Sequence, residues 1–210
     1  TRTPLGFFFL SKPPEEQMPL PDFRTARNVP INRPSPDLLE TIYICQQRQE
    51  WYREHARSQH ADPVQGIAST TTSVDVVTAA RTIRETIGIF PEERRLFPTW
   101  TEALRGLIQR VDEFGILVMV SGIVGSNTSR TLDASEFRGF ALSDDLAPLV
   151  FVNGADTKAG QMFTLAHEIA HLWLGESGVS NSDAGVVAEE DHIEQWCNRV
   201  AAEMLVPMES

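Results

Sequence analysis

The sequence predicts a mixed α+β chain: N-terminal helices, a three-stranded antiparallel sheet, then two further helices. Three observations carry that prediction. Apolar residues recur at three- and four-residue spacing between residues 36 and 115 and again after residue 162; three short runs rich in β-branched or aromatic residues lie between; and Ser, Thr, Gly and Pro punctuate the boundaries. Helices and strands segregated along a chain indicate α+β rather than an alternating α/β order.

Ser35-Pro36 reads as an N-cap followed by proline at the first helical position, opening a helix over about 36 to 58 with Leu38, Ile42, Cys45 and Tyr52 along one side. Residues 59 to 71 are polar and loop-like. Thr72 to Asp75 can cap a second helix ending near Ile87 at Gly88, with Val76, Val77, Ala80, Ile83 and Ile87 inward. Thr99 and Glu102 open a third, in which Trp100, Ala103, Leu104, Leu107, Ile108, Val111 and Phe114 repeat cleanly before Gly115. These stripes are core positions. Strands are expected over 116 to 122, 136 to 142 and 149 to 153, and no internal repeat is visible. Eight of the thirteen prolines fall in residues 1 to 36, so 1 to 35 reads as an arm or linker, 36 to 115 as a helical part and 116 to 210 as the core. Within the arm, Phe7 to Leu10 is apolar enough to be expected against the body.

The chemistry concentrates at residues 167 to 171, His-Glu-Ile-Ala-His. Two histidines four apart on a helix share one face and can grip one Zn²⁺, with Glu168 beside the water in the open position. Phe163, Leu165, Ala166, Ile169, Ala170, Leu172, Trp173 and Leu174 surround the motif on nearly every side, the pattern of a buried helix, and Gly175 closes it. The alternative is a pair of core histidines satisfied by backbone carbonyls. Burying Glu168 between them costs several kcal/mol unless something compensates it, and a metal does so directly.

A zinc site needs a further ligand. The next helical pattern runs from about 187 to 206, through Val187, Ile193, Trp196, Cys197, Val200, Ala201, Met204 and Leu205, and stops at Pro207. Glu194 lies a full turn inside it beside the buried face and is the expected third ligand, with Glu190 in reserve. Glu189, Glu190 and Asp191 fall in the first turn, where carboxylates serve the helix dipole and stay wet. His192 lies roughly 200° round from Glu194 and is expected to face solvent. Cys197 is the thiol alternative, less suited to a hydrolytic site than an oxygen ligand. With this motif in place, the order of elements reads as a zincin-like fold with two metal-bearing helices. Leu149 to Asn153, just before the motif helix, is a candidate sheet edge on which an extended peptide could pair, an internal strand being the equal alternative.

Phe163 to Gly175 and Glu194 to Pro207 resemble the two signatures of the ImmA/IrrE metallopeptidase family, an FTLAHEIxH helix and an ExxxNxxAxxxLxP helix. Arg138-Gly-Phe140 and Pro148 to Asn153 resemble the strands before them, so the likeness spans about residues 136 to 207. It implies His167, His171 and Glu194 as zinc ligands and Glu168 as the catalytic carboxylate. It further implies a limited cut in a partner helix-turn-helix repressor or antitoxin, regulating transcription. Thr3 to Leu10, Pro13 to Glu16 and Leu20 to Thr25 resemble the segment that follows a helix-turn-helix domain in many such proteins. Two alternatives follow: a DNA-binding regulator whose peptidase-like part senses a ligand or partner, and an inactive, metal-stabilised interaction module.

Charge and composition bound the rest. A net charge of −11 and a pI near 4.9 argue against nonspecific duplex binding by this segment and suit a basic protein partner. No apolar run reaches the roughly eighteen residues of a membrane span, and Gly6 to Leu10 is too short for a signal-peptide core. Cys45 and Cys197 make no disulfide framework, so the expected compartment is the cytoplasm. An oxyanion donor is harder to place: Tyr43 and Tyr52 are distant in sequence, and His192 is the nearest ionisable alternative.

Overall fold

The computed structural model describes residues 19–20, 34–90, 93, 96–180 and 192–208. Its elements are α1 (Pro36–Ser58), α2 (Val76–Ile87), α3 (Trp100–Phe114), β1 (Leu117–Ser121), β2 (Ile123–Val124), β3 (Asn127–Thr131), β4 (Gly139–Leu142), β5 (Leu149–Asn153), α4 (Lys158–Leu174), β6 (Gly178–Ser180) and α5 (His192–Leu205).

The first three helices begin, and α2 and α3 end, where their capping chemistry says. Ser35 Oγ accepts from Leu38 N at 3.1 Å, Asp75 from Thr78 N at 3.0 Å and Thr99 Oγ1 from Glu102 N at 3.2 Å. Each such cap is worth about 1 kcal/mol. Gly88 and Gly115 close α2 and α3 in the left-handed conformation, at φ 79° and 110°. Ser35 also donates through its hydroxyl to Glu136 Oε2 at 2.7 Å, which ties the start of α1 to the segment leading into β4.

The sheet differs from the expected three antiparallel strands. It has four, in the order β1-β5-β4-β6, with β1 parallel to β5 and β4 antiparallel to both β5 and β6. The physical reason lies in β5. Leu149-Val-Phe-Val-Asn153 is buried along its whole length, and a strand apolar on both faces belongs in the interior of a sheet. The segment 149 to 153 is therefore an internal strand, the second of the two alternatives its sequence left open, and the free edge is removed. β6 is three residues long, too short for any periodic signal, and β2 with β3 forms a separate two-stranded ribbon.

Strand alternation sorts the two faces. Phe140, Leu142, Leu149 and Phe151 pack with Phe137 against Leu38, Ile42 and Cys45 of α1, and the Phe140 and Phe151 rings stack at 5.0 Å. Ala141, Val150 and Val152 point the other way, into a core shared with Leu165 and Ile169 of α4, Val200 of α5 and Ile83 of α2. The residues facing α4 are small, and Gly139 shows why: a Cβ there would sit 2.5 Å from Thr164 Cγ2 and 2.7 Å from Phe151 O. The helix thus rests almost on the strand backbone. α1 covers one face of the sheet, and α4 with α5 and α2 covers the other.

Leu20 packs against the α1-side core. The expectation for Phe7 to Leu10 lies outside the described residues, as does the stretch 187 to 191 expected to begin the last helix. Among the described residues no helix is long and apolar enough to cross a membrane.

The turn between β4 and β5 is held by Asp144, whose carboxylate accepts from the backbone of Leu146 and Ala147 at 2.9 Å each and from Arg53 of α1 at 2.9 Å. Burial would push this carboxyl up, but the Arg53 guanidinium and the two amides outweigh it and hold it below the usual carboxylate range. A carboxyl with a depressed folded pKa contributes stability that is fully present above its unfolded value near 4 and is lost as pH falls through the folded value. The stability difference between wild type and Asp144→Asn, measured by urea unfolding, should be constant above about pH 5 and close progressively below about pH 4. A difference that stays the same down to strongly acid pH would show that Asp144 does not act through its charge.

Candidate metal centre

α4 is capped at both ends, by Thr157 Oγ1 accepting from Gly160 N at 3.1 Å and by Gly175 at φ 77°. Between the caps it runs through the core. His167, Glu168 and His171 are 1%, 0% and 2% exposed, so three ionisable side chains on one helix have been taken out of water. α5 packs along the same helix and presents Glu194, itself 2% exposed.

The donor atoms converge. His167 Nε2 and His171 Nε2 lie 3.0 Å apart, Glu194 Oε2 is 3.3 Å from the former and Glu194 Oε1 2.9 Å from the latter. An ion bound tetrahedrally at about 2.0 to 2.1 Å from nitrogen and oxygen requires donor atoms roughly 3.3 Å apart, close to all three separations. The donor separations are therefore of the size a zinc-sized cation requires, with one or other Glu194 oxygen as the third donor. Among the described residues, His167, His171 and Glu194 form a group of His, Cys, Asp or Glu side chains able to hold a metal ion. Cys197, though buried, is not in it. Phe163 stacks on the His167 ring at 6.3 Å, limiting its rotation.

The two carboxylates are driven apart. Burial would raise the Glu194 carboxyl, but hydrogen bonding and attraction from His167 and His171 overcome it and hold the group far below the usual range. Glu168 goes the other way. Burial pushes it up to about 8, against the pull of His171 and the Ser180 hydroxyl, with the charge on Glu194 adding to the rise. Two acids within one cluster, one held ionised and one basic enough to take a proton near neutrality, is the division of labour expected of a ligand and a proton carrier.

Two neighbours of Glu168 escaped the sequence reading. Ser180 of β6 donates its hydroxyl to Glu168 Oε1. Gly139 of β4, its register partner, leaves room for the carboxylate, since a Cβ there would lie 3.2 Å from the same oxygen. Neither has a spacing signal relative to the motif, and β6 is too short to announce itself. Of the other expected candidates, His192 is exposed, Glu189, Glu190 and Asp191 lie outside the described residues, and Tyr43 and Tyr52 sit on α1, across the sheet from α4. The tyrosines are thereby removed as oxyanion donors.

Residues 111–210 match the family model described as the IrrE N-terminal-like domain of Peptidase M78. That segment contains the whole sheet, α4 and α5. No curated protein and no solved structure matches the chain.

If the three converging side chains hold zinc, the ion will stabilise the folded state by mass action, by about 2.7 kcal/mol at a free concentration a hundredfold above Kd. Thermal unfolding with and without zinc should show an upward shift for wild type and none for His171→Ala or Glu194→Ala. An equal shift in all three would place the bound zinc elsewhere.

Proposed function

We propose that this chain, whose residues 111–210 form a metallopeptidase domain of the ImmA/IrrE family, is a zinc-dependent endopeptidase that makes a limited cut in a partner helix-turn-helix repressor or antitoxin. The observation that carries the reading is the convergence of His167, His171 and Glu194 within one buried cluster, with Glu168 fixed beside it by Ser180. A structural role alone would not require three ionisable groups and a fourth carboxyl to be desolvated together, at several kcal/mol each, where apolar side chains of similar volume would pack.

His167, His171 and Glu194 would hold the ion. Bound there, Zn²⁺ supplies Lewis acidity that brings the pKa of a coordinated water down to about 7. Glu168 handles the proton. Its Oε1 is engaged by Ser180, whereas Oε2 has no hydrogen-bond partner among the described residues, so Oε2 is the atom that receives the proton of the attacking water. As the water oxygen bonds to the peptide carbonyl carbon and the carbon–nitrogen bond breaks, the same oxygen returns the proton to the leaving nitrogen. Burial serves this step, because a carboxyl with a raised pKa is a stronger base than one in water. Phe163, half-buried on the His167 ring, offers an apolar surface beside the site.

The partner assignment rests on the family and on charge. A net charge of −11 favours encounter with a basic protein, as DNA-binding repressors are, and disfavours direct binding of nucleic acid by this segment. Cutting such a repressor places the activity in transcriptional regulation in the cytoplasm.

Glu168→Gln separates enzyme from scaffold. It replaces a group outside the ligand trio with an isostere, so zinc content should stay near one per chain while cleavage of the partner repressor falls by roughly 10² to 10⁴. Incubation of the purified chain and zinc with a candidate helix-turn-helix repressor, followed by mass spectrometry of the products, measures this. Cleavage at equal rates by wild type and Glu168→Gln would refute the proton-transfer role. Zinc bound by wild type with no cleavage of the repressor would favour the sensor or interaction reading.

A further inference from the structure

The C-terminal turn of α4 carries His171 and Trp173, and its last carbonyls find partners outside the helix. Ala68 N–H donates to Leu172 O at 3.0 Å and Thr70 N–H to Trp173 O at 3.1 Å. Both donors belong to the segment between α1 and α2, and its backbone is bent to reach them, with φ of 85° at Gly66 and 54° at Ala68. A left-handed alanine is strained and persists only where its surroundings enforce it. Ala68 is held by its bond to Leu172 O, and Gly66 by the indole of Trp173. The indole is 2% exposed, stacks on Phe114 at 6.1 Å, and lies so close to Gly66 that a Cβ there would be 2.4 Å from Cζ2 and 2.6 Å from Cε2. Gly175, the cap of α4, takes part as well: a Cβ on it would lie 2.8 Å from that of Ala68.

We infer that residues 66–70 are a positioning segment for the metal centre, holding Trp173 and the last turn of α4 so that the His171 imidazole points at Glu194. The inference rests on the metal-centre reading proposed above. Its physical basis is that the last carbonyls of a helix have no partner within it and that helix ends fray. His171 stands three residues from the end of α4; the Gly175 and Glu176 N–H groups satisfy His171 O and Leu172 O, and Ala68 and Thr70 anchor Leu172 O and Trp173 O from outside the helix. A ligand must be held to about 0.5 Å, and the neighbours that orient it matter nearly as much as the ligand. Gly66 and Trp173 are thus positioning residues that touch neither metal nor substrate.

The contact supplies its own test. Gly66→Ala drives a methyl group into the indole, and Trp173→Phe removes Cζ2, the ring atom that methyl would meet most closely. Two quantities are read on the full chain: zinc affinity by competition with a chelator, and the visible absorption of Co²⁺ bound in place of zinc. The second reports the coordination geometry of the loaded fraction, so a mere loss of folded protein does not move it. Gly66→Ala should weaken zinc binding by roughly 10- to 100-fold and shift the cobalt bands. The double variant Gly66→Ala/Trp173→Phe should recover part of both, the strain of an alanine at φ 85° keeping the rest of the loss, and Trp173→Phe alone, which leaves a gap rather than a clash, should fall between Gly66→Ala and wild type. If Gly66→Ala does not fold, Trp173→Phe and the double variant carry the test, and wild-type affinity and bands in Trp173→Phe would overturn the inference. Wild-type affinity and bands in a folded Gly66→Ala would overturn it too, as would a double variant that folds with bands no nearer to wild type than those of Gly66→Ala. Wild-type protein that takes up neither zinc nor cobalt would overturn the metal-centre reading itself.

Discussion

The arrangement depends on one constraint: four ionisable side chains, His167, Glu168, His171 and Glu194, lie in a core from which water is excluded. In such surroundings an unpaired charge costs several kcal/mol, so the groups must compensate one another or share a cation. The attraction of the two imidazoles for Glu194 is strong enough to reverse the effect of burial on that carboxyl, whereas Glu168, with a single hydroxyl donor, stays raised to about 8. The difference between these carboxyls is set by what each faces. That difference is what turns a polar cluster into one with separable roles.

The remaining structure keeps that cluster in register. Small residues on one face of the sheet let α4 settle onto β4, and Gly139 with Ser180 shapes the place where Glu168 rests. The opposite face carries the phenylalanine stack under α1, so the sheet is stiffened from the side away from the chemistry. Since α1, α2 and the segment between them brace the sheet and the end of α4, the N-terminal helices belong to the architecture of the site even though they lend it no polar group. In this chain the helices outside residues 111–210 therefore bear on the geometry of the domain within them.

What could be read from the sequence follows the range of the forces involved. Most helix limits in the first half were legible to within a few residues, because Ser35, Asp75, Thr99, Gly88 and Gly115 act on backbone groups three or four positions away. The gathering of His167, His171 and Glu194 was legible for a related reason: the histidines share a helical face by local geometry, and Glu194 was the acidic residue beside the apolar stripe of the following helix. Strand pairing is non-local and was misjudged. Nothing in 149 to 153 says which strand lies on either side, and its apolar run, compatible with edge or interior, resolves only once α1 and α4 are seen covering both faces. Ser180, Gly139 and the bond from Ala68 to Leu172 were invisible for the same reason, each joining positions with no spacing relation.

The central claim is that the His167, His171 and Glu194 trio is a zinc site, and zinc-edge X-ray absorption on the purified chain loaded with one equivalent of metal tests it most directly. The account predicts a first shell of nitrogen and oxygen at about 2.0 to 2.1 Å, with the outer-shell scattering of two imidazole rings and no sulfur. A zinc–sulfur distance of about 2.3 Å, or a spectrum unchanged when both histidines are replaced, would contradict it.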